Sequence, residues 1–315
     1  MARITTEEGA VRAAPSRSLK IRQRGAVFLF VGPFLVLFLF VFVAPIIYSA
    51  VESFFSRQVS GLGLGGSTTV FVGFANFEKV LTDSTFWHGA GRVFLFGVVQ
   101  IPVMLIVALA FALLLDSIAA RGVAAFRLAF FLPYAIPGSV AALLWAYLYI
   151  PQLSPYSALL AHIGLHPQFL GPDLVLWAIA NITTWTYTGY NMLIIYATLK
   201  AINPDLYEAA RIDGASEWAI ALKIKVPQVR NALVLTGVLS IIGTLQLFTE
   251  PTILESISTA VNSNFTPTMY AFNAAFTSDN AGIASAASII IAAMAGLLSV
   301  IYYRVAQREG RRYVG

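Results

Sequence analysis

Between Asn181 and Asn191 the chain reads "NITTWTYTGYN", eleven residues of amides, hydroxyls and aromatic rings without a charge. Trp185, Tyr187 and Tyr190 offer ring faces, while Asn181, Thr184, Thr186, Thr188 and Asn191 offer neutral donors and acceptors. A sugar ring presents the complementary surface, an apolar face edged with hydroxyls. At helical spacing Asn181, Thr184, Thr188 and Asn191 fall near one stripe, with Tyr187 beside it. Ser240, Gly243, Thr244 and Gln246 make a second, weaker polar patch. The other use of such groups is helix-to-helix hydrogen bonding, worth about 0.6 kcal/mol per contact.

Other chemistries find few residues. Cysteine is absent, which excludes disulfides, thiolate zinc sites and thiol nucleophiles. His88, His162 and His166 lie between the apolar windows described below. His162 and His166 have the i, i+4 spacing of a metal pair but no acidic neighbour on that turn, so no metal site is expected. No Gly is followed by Lys, so the phosphate cradle of an ATPase is missing. The chain is therefore expected to be no enzyme and to hold no cofactor of its own. An ion-coupled carrier normally keeps an acid or His inside a span, at a cost of about 2.5 to 3.5 kcal/mol. The windows contain none, and Glu52, Asp116 and Glu250 fall at their edges, where snorkelling or capping is expected.

The elements that must position these residues are membrane spans. With 58% hydrophobic and 11% charged residues, and a mean hydropathy of +0.77, the chain is far from the roughly 25% charge of a soluble domain. A hydrocarbon core of about 30 Å needs roughly 20 apolar residues of helix. Six windows qualify: 25–51, 93–115, 128–150, 174–199, 231–249 and 280–303. They predict an all-α, polytopic membrane protein with six transmembrane helices over 25–303, between a basic tail (1–24) and a short tail (304–315). Pro151, Pro155, Pro167 and Pro172 make the uncharged stretch after 150 an expected outer loop. The first window has 27 residues against about 7 to 15 in a signal core, so it is expected to stay as a span. Seventeen of the 20 Lys and Arg residues fall on one face, in the two tails and the second and fourth connections. Arg57, Lys79 and Arg92 fall on the other, so both termini are expected in the cytoplasm. The "SGLGLGGST" after the first window reads as a flexible outer link.

The fourth connection, 203–228, is charged and helix-prone. Asn203 is a cap, Pro204 suits the first helical position and Asp205 suits the positive end of the dipole. A helix of about three turns is predicted, ended by Gly214 in the left-handed region, with Ser216 capping a second helix toward Pro227. Charge pattern alone leaves two readings, a solvated link or a docking lever. In the second, small Ala209 and Ala210 permit close approach, and Glu208, Arg211 and Asp213 supply charged contacts.

Glu208, Ala209 and Ala210, three residues, Gly214, nine residues, Ile224, and Pro227 three later together resemble the EAA loop of membrane subunits in ABC importers. "YEAARIDGASEW", which includes Asp213 and Trp218, is similar more narrowly to the maltose-type carbohydrate importers. The resemblance runs from roughly residue 71 to 308, through "FVGFANFEKVLTDSTFW", "FRLAFFLPYAIPGSVAALLW" and "NMLIIYATLKAINPDLYEAA". Ala221 stands where that family often has Phe and Val226 where Leu is usual. "TEPTILESIS" takes the place of its "TGGGP".

The resemblance implies a permease subunit of a prokaryotic cytoplasmic membrane, paired with a second, similar permease subunit as a heterodimer. It implies two ATP-binding subunits that carry ATP and Mg, and an extracytoplasmic substrate-binding protein; nucleic acid has no part. The loop would sit in a groove on the ATPase and carry its closing motion into the membrane. A midmembrane sugar site is implied on the fourth and fifth spans, its positions corresponding most closely to Thr186, Tyr187, Tyr190, Ser240, Gly243 and Thr244. The absence of Arg and Lys from the spans argues against phosphorylated or carboxylate cargo, although a helix N-terminus can bind an anion without them. The expected function is import of a neutral di- or oligosaccharide by alternating access. The alternatives are an ion-coupled sugar carrier, or an importer of a polyol or glycerol-phosphate-type solute.

Overall fold

The computed structural model describes residues 29–59, 67–117 and 121–311. The basic tail 1–24, the first four residues of the first window, most of the Gly-rich link and Arg312 lie outside them. The chain divides into two units between Val51 and Glu52.

The first unit is built on helix α1, Leu29–Glu52, which contains a π turn at Leu39–Val43. Pro45 explains the turn. Proline has no amide to donate, and its ring crowds the carbonyl four residues back, so widening the helix by one residue relieves both. Accordingly the Ala44 amide bonds to the Leu39 carbonyl, five residues away.

The second unit opens with an antiparallel hairpin, β1 (Phe55–Val59) and β2 (Ser67–Phe71), with Phe55 opposite Phe71. It corrects the all-α expectation at this one place among the described residues. The two Phe rings meet edge to face at 5.5 Å, a pairing that favours the strand register. Helix α2, Ala75–Thr82, follows, then α3, Ser84–Leu115. Helix α3 begins nine residues before its apolar window because Asp83 caps it, accepting the Thr85 amide at 2.8 Å.

The third window is not one straight helix. It is α4, Val123–Ala135, and α5, Gly138–Tyr149, bent by 95°. Pro137 disfavours helical torsions at the residue before it, and Ile136 is extended (φ −79, ψ 130). The predicted outer loop also contains a helix, α6, Pro155–Ala161. Its Pro occupies the first turn, where the missing amide costs nothing, and Ser154 Oγ accepts the Ser157 amide at 3.0 Å.

Then come α7 (Val175–Lys200), α8 (Asp205–Ile212), α9 (217–228), α10 (Arg230–Leu245), α11 (Thr249–Glu255), α12 (Pro267–Phe276) and α13 (Ala281–Arg311). Two of these were not predicted. Helix α11 occupies "TEPTILE", and α12 lies in the fifth connection. Thr266 sets α12 in place: its Oγ1 accepts the Met269 amide at 3.2 Å and donates to the Leu247 carbonyl at 2.9 Å.

Among the described residues four helices are long and apolar enough to cross a membrane, Leu29–Glu52, Ser84–Leu115, Arg230–Glu255 and Ala281–Arg308, and the bent pair makes a fifth if it counts as one span. Helix α7 has 26 residues, about 39 Å at 1.5 Å each, but its polar middle makes it less apolar than these. That middle is sheltered by protein: α7 packs against α3, α4, α5, α10 and α11. Ala108 and Ala112 of α3 are small enough to let Met192 and Ile195 of α7 close in. At Gly189 the backbones of α7 and α4 touch, since a β-carbon there would lie 1.8 Å from the Phe130 carbonyl oxygen.

Candidate functional site

Helices α8 and α9 form a short hairpin between α7 and α10. Asn203 Oδ1 accepts the Asp205 amide at 3.1 Å, with Pro204 between them in helical torsions, so the start follows from the sequence. The helix runs about two turns, shorter than predicted. Gly214 ends it with φ +82. Its amide bonds to the Arg211 carbonyl at 3.0 Å and that of Ala215 to Ala210 at 2.9 Å, the pair of bonds that satisfies the last carbonyls. Ser216 Oγ then accepts the Ala219 amide at 3.2 Å.

The outer face of this hairpin is apolar as well as charged. Ile212 is 86% exposed and Trp218 73%, and Leu206 and Leu222 are also exposed. Glu208, Ala209, Asp213, Gly214 and Pro227 share that exposure, whereas Ala210 and Ile224 are half-buried. Arg211 is engaged within the hairpin: its Nε lies 2.7 Å from Glu217 Oε1, which holds the Glu217 carboxyl below its usual range. Ile212 and Leu222 were missed by the sequence reading, which weighed charge on this face and not exposed aliphatic side chains.

The inner side of the hairpin is fixed by buried charge. Residues 221–225 form a π turn two residues before Pro227, the spacing found before Pro45, and the Val226 amide bonds to the Ala221 carbonyl. The turn places Lys225 inward. Its Nζ donates to Asp116 Oδ2 at 2.7 Å and stands 4.8 Å over the Tyr207 ring. Lys200 Nζ, at the end of α7, lies 2.7 Å from Asp116 Oδ1. Asp116, the cap of α3, thus ties together the ends of α3 and α7 and the hairpin. Burial, followed by the Asp116 charge, pushes the Tyr207 phenol upward.

A second feature is a cavity of about 560 Å³ among α3, α4, α5, α7, α10 and α11. Tyr187, Tyr190, Ser240, Gly243, Thr244 and Gln246 line it. So do Gln100, Tyr134, Ser139, Thr183 and Glu250, which the sequence reading did not include. Tyr134 lies against Tyr190, rings 4.7 Å apart and 21° from parallel, and edge-on to Tyr187 at 5.9 Å. The three rings make an aromatic shelf beside hydroxyl and amide groups, able to stack a ring and bond its hydroxyls. Gln100 was detectable in principle as the only amide of the second window. Tyr134 and Ser139 reach the cavity only because the chain bends between α4 and α5.

The remaining residues of the polar stretch lie elsewhere. Asn181 Nδ2 donates to Tyr149 Oη at 2.7 Å in a separate aromatic pocket, where Trp185 meets Trp145 edge-on at 5.8 Å. Thr184 Oγ1 accepts from Gln100 Nε2 at 3.4 Å. Thr186, Thr188 and Asn191 are buried. Thr188 donates to the Thr184 carbonyl and Asn191 to the Tyr187 carbonyl at 2.9 Å. The stripe drawn through Asn181, Thr184, Thr188 and Asn191 therefore does not line the cavity, which takes Thr183, Tyr187 and Tyr190 at spacings of four and three, although Thr184 and Asn191 contact its lining residues Gln100 and Met104. Glu250 does not snorkel: it is 7% exposed and lines the cavity, with its carboxylate bonded to its own amide in the first turn of α11.

Residues 108–312 match the family described as the binding-protein-dependent transport system inner membrane component. The chain is 30% identical over 287 residues to the lactose transport system permease protein LacF of Rhizobium radiobacter, covering 89% of this chain and 94% of that one. It is 28% identical over 289 residues to the sn-glycerol-3-phosphate transport system permease protein UgpA of Rhizobium meliloti, covering 90% and 94%. In fold it is similar to a chain of a bacterial ABC transporter that imports the acidic polysaccharide alginate, with a TM-score of 0.77 at 20% identity, over 93% of this chain and 99% of that one. The loop pattern, the helical bundle and the matched region agree: this chain belongs to the family of inner membrane components of binding-protein-dependent transport systems.

Proposed function

We propose that the chain is a six-span permease subunit of an ATP-binding cassette importer that moves a neutral di- or oligosaccharide inward by alternating access. In this reading α7 is the sixth crossing, both termini are cytoplasmic, and the α8–α9 hairpin projects into the cytosol. Two separate subunits carry ATP and Mg, a second permease subunit completes a heterodimer, and an extracytoplasmic protein delivers the sugar. Glu208, Ala209, Ala210, Asp213, Gly214, Trp218, Ile224 and Pro227 form the coupling surface.

The single observation that carries the reading is the hairpin's two-sidedness. Ile212 and Trp218 stand exposed on one side, and Lys225 is fixed to Asp116 on the other. Exposed apolar side chains suit a protein partner. A buried ion pair to the end of a long helix suits transmission of that partner's movement. Two discrete packings biased by nucleotide would then open the cavity first outward and then inward.

The aromatic shelf and hydroxyl lining support a saccharide. Burial of Glu250 in the cavity removes one sequence argument against an ion-coupled carrier, the lack of an intramembrane acid. Membership of a binding-protein-dependent family now weighs against it instead. The test is to copurify the whole complex, reconstitute it in lipid, and screen binding protein loaded with each member of a saccharide panel for stimulated ATP hydrolysis. Stimulation by neutral di- or oligosaccharides is expected; stimulation confined to glycerol phosphate or polyols would replace the cargo assignment.

A further inference from the structure

Glu250 is the single carboxylate lining the main cavity, and none of the lining residues is Lys, Arg or His. Among the described residues it has no ion-pair partner. Its position follows from two breaks in the fold. Helix α10 ends at Leu245 and α11 begins at Thr249, with Glu250 in the first turn of α11 at the cavity wall. Across from it, the bend at Pro137 places the start of α5. A methyl group at Gly138 would lie 3.9 Å from Glu250 Oε1. Helix α5 has no side-chain cap hydrogen bond at that end, so the first turn of this 12-residue helix stands beside the carboxylate.

A buried carboxylate without an ion-pair partner acts in two ways. It accepts hydrogen bonds at two oxygens more strongly than a neutral group does, which suits adjacent hydroxyls on a sugar ring. It also repels a second anion, with little screening at short range. Ser139, Gln246 and the Tyr134–Tyr187–Tyr190 shelf line the same cavity with neutral groups and supply no countercharge.

We infer that Glu250 is the charge-selecting residue of the cavity: its carboxylate holds a pair of saccharide hydroxyls and turns away cargo that carries a carboxylate or phosphate. The inference rests on the importer reading above and adds to it a residue and a rule for cargo charge.

The experiment uses the purified whole complex in nanodiscs without binding protein. The probes are a neutral disaccharide that stimulates hydrolysis in the panel and its uronic acid counterpart, with affinities measured calorimetrically. The wild type is expected to prefer the neutral sugar by at least about tenfold, the discrimination a like-charge clash readily supplies. Glu250→Gln is expected to bring the ratio within about threefold by removing the charge while keeping one acceptor. Ser139→Lys, which places a cation on the same exposed wall, is expected to shift the ratio in the same direction, and it answers the question if Glu250→Gln fails to assemble. A ratio unmoved in both variants, in complexes that still hydrolyse ATP when stimulated, removes the role of Glu250 and leaves the importer reading intact. If no saccharide binds or stimulates hydrolysis, the importer reading fails and this inference fails with it.

Discussion

Lys225 of the α8–α9 hairpin reaches Asp116 at the end of α3 across 2.7 Å, and both side chains are about 95% buried, with exposures of 6% and 5%. Removing Asp116 leaves Lys225 buried and charged without its carboxylate, which typically costs about 3 to 5 kcal/mol. Asp116→Ala is therefore expected to lower stability by roughly that amount, and Lys225→Met by less because Asp116 keeps its ion pair with Lys200. Unfolding of the detergent-solubilised protein by sodium dodecyl sulfate measures both. A double-mutant cycle should give a coupling of about 1 kcal/mol or more, and additive losses would show that the pair does not act as a unit.

Gly214 has φ +82 at the turn of the hairpin, a conformation that costs a side-chain-bearing residue about 1 to 2 kcal/mol. Gly214→Val should re-aim α9 relative to α8. Uptake by the reconstituted complex is expected to fall at least about tenfold while the chain still inserts in the membrane, because 1.4 kcal/mol is already tenfold in an equilibrium. Full uptake together with full ATPase stimulation would remove the turn from the coupling route.

Trp218 and Ile212 have no folding role to lose, being largely exposed. Each is expected to weaken association with the ATPase subunit on replacement by Ala, Trp218 by about 2 kcal/mol or roughly 30-fold if it is a buried anchor in the complex. Affinity between the separately purified ATPase and permease pair measures this. An unchanged constant for both would place the contact elsewhere.

Tyr190 and Thr188 are two residues apart yet serve different ends. Tyr190 stacks on Tyr134 at the cavity, whereas Thr188 is buried and bonds to its own helix. Tyr190→Ala should raise the KM for the transported saccharide at least about fivefold, in line with the loss of about 1 kcal/mol of aromatic contact. Thr188→Ala should leave KM within about twofold and change stability by less than about 1 kcal/mol.

The hairpin was legible in sequence because its ends are local. Asn203, Gly214 and Ser216 each act on backbone within a few residues, so type and spacing specify the result. The polar middle of α7 was legible as an anomaly, but its facing was not, because hydroxyls at Thr184 and Thr188 suit either packing or a cavity. Lys225 could not be placed from its position alone. Its inward turn depends on the π bulge that Pro227 imposes, and its partner Asp116 is 109 residues away. Glu250 looked like an edge residue because hydropathy carries no information about the break after Leu245. The α4–α5 bend was written in "AIPG" at Ala135 to Gly138, and the surrounding apolar run concealed it.

Solute accumulation in proteoliposomes containing the two permease subunits, with and without the ATPase subunits, bears most directly on whether the hairpin serves a separate motor. With binding protein, sugar and ATP present, uptake is expected only when the ATPase subunits are assembled, and an imposed proton or sodium gradient should drive none without them. Gradient-driven accumulation by the permease pair alone would contradict the coupling role assigned to the hairpin.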